Sequence, residues 1–404
     1  MKSKFKLGKF EKAIELAKDR LETSDDAEVS ELSKIIGESY FNLEYFKNVR
    51  SQMLKGECPS ECNKCYTIEK NGGLSTRQSF VEHFKENAKW IESVENTNLE
   101  GEITPRVLSL DFSQSNKCNL KCIMCSPDAS ILIKSDYDKL GIDYSKEIVD
   151  GAHRNWDKNP AYDKIIPEIL NDLEEILTTG GEPFLNKDHE YILEKLIKLG
   201  AAKNISLTYH TNCTVQNHRL FDMWNEFKSI NLHFSIDAVG ELDEYIRFGT
   251  KWSKVEETVK LLIKHPKTVC QVHTTVQVLN IFSLTELYNW MGKFEELNTL
   301  PYHIWMDNPS WLKINILPNR LKLLARVKLK QYINGLYQHE GSSIHPHLVE
   351  KAEQILSYIN RSISEDQDLE GLKLFKQRLK SFEVLRNSRK IEALVPELKS
   401  IFRK

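Results

Sequence analysis

Six of the eight cysteines fall into two tight groups, Cys58, Cys62, Cys65 and Cys118, Cys122, Cys125. Each group is spaced C-x3-C-x2-C, while Cys213 and Cys270 stand alone. Thiols clustered this closely, in a chain long enough to bury its own core, point to metal before disulfide. Three thiolates on one short loop can ligate three irons of a [4Fe–4S] cube and leave the fourth iron open to a ligand. A zinc site asks instead for a fourth Cys or His nearby. The next histidine after Cys125 is His153, 28 residues on. Further along comes Thr178-Thr179-Gly180-Gly181-Glu182-Pro183. Its two glycines let bare backbone approach a ligand, which beside a carboxylate suits an amino group. Gly-Gly-Glu by itself is an ordinary strand-end turn, and its weight comes from following the second cysteine group.

The elements that must carry these residues alternate between strand and helix from 106 to 306. Strands are expected at Val107–Phe112, Glu174–Thr179, Ile205–His210, Asn231–Ile236, Thr268–Val278 and Tyr302–Met306. Helical patterns near 186–199, 217–228, 253–265 and 283–297 separate most of them. Repeated βα units imply parallel strands with right-handed crossovers. Six of them suit an incomplete (β/α)6 barrel, an α/β fold with helical extensions at both ends. Both the cysteine loop and the Gly-Gly-Glu then lie at C-terminal strand ends, the face where such barrels build active sites. Strand alternation puts Leu232, Phe234 and Ile236 on one face and His233, Ser235 and Asp237 on the other. On the next strand Gln271, His273, Thr275 and Gln277 oppose Cys270, Val272, Val276 and Val278. The polar face should look into a wet or ligand-filled lumen. That makes His210, Asn212, His233, His273 and Gln277 candidates for substrate or cofactor contact, against the plainer reading of a satisfied buried network. Cys270 reads as a core thiol.

With these motifs in order, residues 106–306 resemble the radical S-adenosylmethionine (radical SAM) superfamily. The resemblance implies that Cys118, Cys122 and Cys125 hold a [4Fe–4S] cluster whose open iron chelates S-adenosylmethionine. Gly180, Gly181 and Glu182 match the segment that meets the methionine amine. Reductive cleavage would then yield a 5′-deoxyadenosyl radical that takes hydrogen from substrate, with a flavodoxin or ferredoxin as reductant. Thr211-Asn212-Cys213 resembles the family's Thr-Asn-Gly, with cysteine in place of glycine. Phe234-Ser235-Ile236-Asp237-Ala238 resembles its Ser-Ile-Asp-Gly, and Tyr245-Ile246-Arg247 an Ile-Arg pair of peptide-modifying members. Ser235 and Arg247 are thereby expected on the methionine carboxylate, a guanidinium being matched to a carboxylate fork; the plain alternative for Arg247 is a surface cation. Met124 stands where many members carry an aromatic residue.

Cys58, Cys62 and Cys65 lack both a preceding strand and a following Gly-Gly-Glu. The group is expected to hold a second metal centre, either a second iron–sulfur cluster, favoured by association, or zinc. The stretch Cys62-x2-Cys65…Glu69…Gly72…Ser75-x-Arg77 and the ending Val395-Pro396-Glu397-Leu398 resemble twitch-domain proteins, shortened relatives of the SPASM type. Their auxiliary cluster follows the barrel, whereas here no cysteine occurs after Cys270. A fourth ligand would be Cys213, a histidine or substrate.

Lys and Arg number 56 against 58 Asp and Glu, a net charge of −2, which removes the electrostatic argument for nucleic acid or an anionic membrane. No run nears the ~18 apolar residues of a membrane span, and the start lacks an apolar signal segment, so a cytoplasmic protein is expected. Segments 8–13 and 43–48 align at an offset of 35, close to the roughly 34-residue tetratricopeptide period. The organisation expected is a tetratricopeptide-like helical extension at 1–50, a cysteine-bearing segment at 51–105, the partial barrel at 106–306, and a helical region at 307–404. That front end favours radical chemistry on a peptide or protein-presented substrate. A carbohydrate, nucleotide or small metabolite is the alternative. A zinc-stapled binding protein, and a methylase using Cys213, are further readings.

Overall fold

The computed structural model describes residues 41–70, 75–113, 115–144, 171–297, 301–338 and 346–403. Most of the tetratricopeptide-like segment, Gly72 and His153 lie outside them. The chain separates into two compact units, Met1–Leu110 with Lys158–Glu175 and Asp111–Asp157 with Ile176–Lys404. Among the described residues no helix is long and apolar enough to cross a membrane.

The first unit carries α1 (Glu44–Leu54), α2 (Asn63–Lys70), α3 (Thr76–Phe84) and α4 (Ala88–Glu95). Helix α3 starts at a capping box. Ser75 Oγ accepts from the Gln78 amide at 3.1 Å, and Gln78 Oε1 accepts from the Ser75 amide at 3.2 Å, satisfying two orphan donors reciprocally. Gly101, at φ +81°, lies where a Cβ would come within 2.1 Å of the Lys47 carbonyl oxygen. Glycine therefore lets the chain close against α1.

The sheet is six-stranded and parallel, in the order β1 (Ser109–Ser113), β2, β3, β4, β5, β6. Helix α5 (Ile131–Leu140) precedes β2 (Glu175–Thr179), and α6 (Lys187–Lys198) leads to β3 (Ser206–Thr211). Then follow α7 (His218–Met223), β4 (Ser229–Ser235), α8 (Glu241–Ile246), α9 (Trp252–Leu262), β5 (Thr268–Val276), α10 (Leu284–Met291) and β6 (Tyr302–Trp305). This is the expected half-barrel. Each strand falls within about two residues of its expected bounds, the ends being where hydrogen-bond ladders fray.

Side-chain alternation separates two environments. Leu207 and Tyr209 on β3, Leu232 and Phe234 on β4, and Val272 on β5 are fully buried under the helices, and Cys270 joins them as a core thiol. The opposite, half-exposed face is a ladder of polar pairs. Ser206 stands opposite Ser229, Thr208 opposite Asn231 and His210 opposite His233. Ser229 Oγ donates to Ser206 Oγ at 2.9 Å, and Asn231 Nδ2 to Thr208 Oγ1 at 3.3 Å. Polar residues facing inward thus satisfy each other, where a complete barrel fills its interior with branched apolar side chains.

Beyond β6 lie α11 (Asn319–Gln338), α12 (Pro346–Ser364), α13 (Leu369–Arg386), α14 (Ile391–Leu394) and α15 (Lys399–Phe402), the expected helical region. Helix α13 packs on α5 and delivers a charge. Arg386 Nε donates to Asp136 Oδ2 at 2.9 Å, and both side chains are only 3% exposed. Lys121 donates to the other oxygen at 2.7 Å. Burial works against the charge on Asp136, but the two cations hold its pKa below the usual value. Arg386 also stacks over Phe248 and Phe382, at 4.7 and 4.5 Å from the ring centres. Removing one partner of a buried pair costs more than the pair contributes, because the other charge is stranded. Arg386→Ala should therefore lower unfolding free energy by about 3 kcal/mol in chemical denaturation. Adding Asp136→Asn should return part of it.

Candidate active site

The loop from Asn116 to Ser130 carries Cys118, Cys122 and Cys125 between β1 and α5, at the C-terminal ends of the strands. It has no ladder of its own, and neighbouring loops hold it. The Lys121 amide donates to the Phe248 carbonyl and the Ile123 amide to Ile246, both at 2.8 Å. These bonds bracket Arg247 and carry it to Cys122. The Glu182 amide donates to the Lys117 carbonyl at 2.8 Å. Gly180 and Gly181 sit at φ +79° and +56°, and a Cβ on Gly181 would stand 2.3 Å from the Lys117 oxygen. The glycine pair is thus required where two backbones touch. Ser130 Oγ donates to the Leu120 carbonyl at 2.6 Å, and Asn116 Nδ2 to Pro127 at 3.0 Å.

All three thiols are free, Cys122 buried and the other two half-buried. Cys118 Sγ faces the Leu120 amide at 3.5 Å and Asn212 Nδ2 at 3.8 Å. Burial pushes the Cys118 thiol up to about 11. Cys122 and Cys125 are hydrogen-bonded to each other, which raises the first and lowers the second. The Arg247 guanidinium lies 4.0 Å from Cys122 Sγ. Three free sulfurs on one loop, met by N–H donors and a cation, fit a cluster that leaves one iron open: the donors stabilise thiolates, and the protein offers three.

Arg247 is buried, not a surface cation. Its Nη2 stands 2.8 Å from Asp237 Oδ2, with the carboxylate side chain fully enclosed. Burial opposes the charge on Arg247, but Asp237, Cys122 and Asp243 outweigh it and hold the pKa above its usual value. Asp237 Oδ1 accepts from the Thr275 amide at 2.7 Å. Asp243 Oδ1 accepts from the amides of Asp237 and Ala238 at 3.1 and 3.3 Å, and burial pushes its carboxyl up to about 7. The sequence marks Asp237 only by its place in the alternation of β4, and Asp243 only by lying four residues before Arg247, the spacing of partners on one helix face.

Glu182 is buried and turned to the protein. Its carboxylate accepts from Thr211 Oγ1 at 2.9 Å, the Asn212 amide at 2.8 Å and the Phe184 amide at 3.2 Å. Burial pushes it up to about 7 against those bonds. It joins the ends of β2 and β3. Asn212 reaches back to the cysteine loop, donating to Asn119 Oδ1 at 3.0 Å. Cys213 adopts φ +58°, a conformation costing a non-glycine residue about 1–2 kcal/mol. Its thiol is fully buried and donates to the Thr211 carbonyl, so it is not presented as a ligand or carrier. Ser235 stands in register with His273, on the polar face.

The structure brings His210, His233 and His273 together. The His233 and His273 rings stack at 3.9 Å, and His210 stands edge-on to them at 4.7 and 5.1 Å. Burial lowers all three, His233 to about 4 and His273 to about 2, so they are neutral near pH 7. Gln277 does not join them. It lies beyond the end of β5, fully buried; its backbone N–H donates to Asn280 Oδ1 at 2.9 Å, and its side-chain amide has no protein partner.

In the first unit Cys58 is exposed, and Cys62 and Cys65 are half-buried at the entry to α2. Glu69, Ser75 and Arg77 of that motif converge. Glu69 accepts from Ser75 Oγ and from the Arg77 guanidinium, and Arg77 lies 4.8 Å above the Tyr66 ring. These bonds tie the cysteine-bearing helix to α3.

A parallel half-barrel with a three-thiol loop at its strand ends, gripped by a glycine turn and a buried arginine, is the framework of an enzyme domain built around an iron–sulfur cluster. Residues 112–291, a little under half of the chain, match the radical SAM superfamily. The match of this segment implies a [4Fe–4S] cluster and S-adenosylmethionine. The chain is similar to a GTP 3′,8-cyclase of Clostridium botulinum, 24% identical over 46% of this chain and 56% of that one. It is also similar to the GTP 3′,8-cyclase of a Synechocystis strain, 31% identical over 33% and 35%. It thus spans about half the length, or less, of these curated relatives. Streptococcus suis SuiB bound to S-adenosylmethionine superposes at a TM-score of 0.42, with 16% identity over 73% of this chain and 61% of that one.

Two outcomes are expected. Arg247→Ala strands Asp237 and should destabilise the metal-free protein by about 3 kcal/mol in a thermal melt, with recovery in Arg247→Ala/Asp237→Asn; a residue serving only a ligand would be silent there. Anaerobically reconstituted protein should hold about eight irons if both cysteine groups carry cubes, and the Cys58/Cys62/Cys65 triple-alanine variant about four. Equal iron without zinc would leave the first group without metal.

Proposed function

We propose that the protein cleaves S-adenosylmethionine reductively and abstracts hydrogen from an unactivated C–H bond of a peptide or protein-presented substrate. The observation that carries the first half is the cysteine loop, with three free thiols locked against Gly181 and Arg247. When bound and reduced by one electron from a flavodoxin- or ferredoxin-type donor, the cluster and S-adenosylmethionine supply methionine and a 5′-deoxyadenosyl radical. The protein's part is positional. Cys118, Cys122 and Cys125 hold the cluster, and the bare backbone of Gly180 and Gly181 receives the methionine amine. Glu182 keeps that turn in place from behind. Arg247 and Ser235 hold the methionine carboxylate, and Asp237 orients the guanidinium. His210, His233 and His273 line the chamber where substrate meets the radical.

The peptide assignment is supported by Tyr245-Ile246-Arg247, with its likeness to peptide-modifying relatives, and by the tetratricopeptide-like front end. A nucleotide is the second reading, favoured by the name of the curated relatives. The Cys58 group, as a second cluster, would lie outside the radical-generating step.

Anaerobic protein with S-adenosylmethionine and dithionite should form 5′-deoxyadenosine, and replacing Cys118, Cys122 and Cys125 by alanine should abolish it. Cleavage persisting in that variant would remove the assignment. Deuterium passing into 5′-deoxyadenosine from GTP deuterated on the ribose would replace the peptide reading by the nucleotide one.

A further inference from the structure

The three histidines do not form a closed hydrogen-bond network. His273 Nε2 lies 3.0 Å from Gln271 Oε1. An amide oxygen only accepts, so Nε2 carries the proton and Nδ1 of this neutral ring keeps its lone pair. That Nδ1 is buried and has no hydrogen-bond partner. His233 Nδ1 and His210 Nε2 are 3.2 Å apart. A buried acceptor without a partner remains free to take a ligand.

The spacing is that of ligands. One nitrogen from each ring can be chosen so that all three lie within 4.8 Å of one another. Nitrogens about 2.0–2.1 Å from a tetrahedral ion stand about 3.3 Å apart, so the first pair already has the required separation, and His273, stacked on His233, must turn out of that stack to aim its lone pair at the same ion. Among the described residues this is the set of His, Cys, Asp or Glu side chains that converges to single-ion spacing. Its origin is register. His210 stands opposite His233 on adjacent strands, and His273 lies two residues beyond Gln271, the register partner of His233.

We propose that His210, His233 and His273 bind one borderline divalent cation of the zinc or ferrous class on the inner face of the half-barrel. Neutral imidazole suits such ions. Gln271 is the outer partner that fixes the tautomer and aim of His273, as metal-bound histidines ordinarily require. Three protein ligands leave a coordination position open. Asp111 is the acid whose charge acts on His210, so the ion would keep net positive charge and take an anionic oxygen, a carboxylate or phosphate, in the open position. The site is one residue below Thr211, whose hydroxyl holds Glu182. The ion would therefore fix a substrate's anionic group under the radical-generating loop. This last step rests on the chamber being the substrate site; the ion site itself does not.

The test uses full-length protein with its iron–sulfur content reconstituted anaerobically, then equilibrated with zinc and desalted. Wild type should retain about one zinc per chain, with only nitrogen and oxygen in its first shell by X-ray absorption. His233→Gln and His273→Gln, near-isosteric changes, should each lose it, and Gln271→Leu should weaken binding about 10–100-fold. Iron content and melting temperature of each variant check that it is folded. Zinc retained equally by the folded histidine variants, or zinc with sulfur in its shell when Cys58, Cys62 and Cys65 are also replaced by alanine, would overturn the proposal. 5′-Deoxyadenosine is measured in the same samples. Its formation without nitrogen-bound zinc defeats the ion site alone, whereas nitrogen-bound zinc without it upholds the ion site and defeats the radical reading.

Discussion

The contact between the Lys117 carbonyl and Gly181 is the constraint on which the rest of the site depends. The cysteine loop has no ladder to shape it, so its form comes from the loops beside it. The glycine turn allows the closest of these approaches, a single methyl group being too much at Gly181. Once that contact exists, the Glu182 amide reaches Lys117, and the Glu182 carboxylate is committed to Thr211 and Asn212. Asn212 then returns to Asn119 in the cysteine loop. Three strand ends are joined around one stretch of bare backbone.

Charge is organised around the same loop. Arg247 is enclosed with Asp237 and Asp243 and lies against Cys122, so a cation is already in place where thiolates must form. A guanidinium serves better here than an ammonium. It stays protonated despite burial, and its planar fork can address a carboxylate and a sulfur together. Lys121, in the same loop, shares Asp136 with Arg386, so buried acids hold the cations on which the loop rests.

Much of this was legible in the chain. Cysteine spacing marked the loop, alternation on β4 and β5 sorted core from chamber, and a period-two pattern cannot be shifted without exposing Leu232 and Phe234. What was not legible depends on register and distance. That His210 faces His233 follows from how two strands align, which neither strand states alone. Arg386 and Asp136 are 250 residues apart, and nothing local to either suggests the other. Glu182 was read as facing a ligand because Gly-Gly-Glu marks a binding turn, but in the fold its backbone faces the loop and its carboxylate secures the turn. Asp237 was placed on the polar face correctly, and its burial with Arg247 needed the course of the chain after β4.

The pairing of Asp136 with Arg386 also sets an order of events during synthesis. The cysteines leave the ribosome early, and the sheet that cradles them can form while the chain is still growing. The last cation for Asp136 arrives some 250 residues later. Until then the acid on α5 is anchored by Lys121 alone, and Phe248 lacks the guanidinium that covers it. Iron offered to a nascent chain would meet thiols that are present but incompletely held. A chain lacking α13 would keep its cysteines and lose the guanidinium that pairs with Asp136 and covers Phe248.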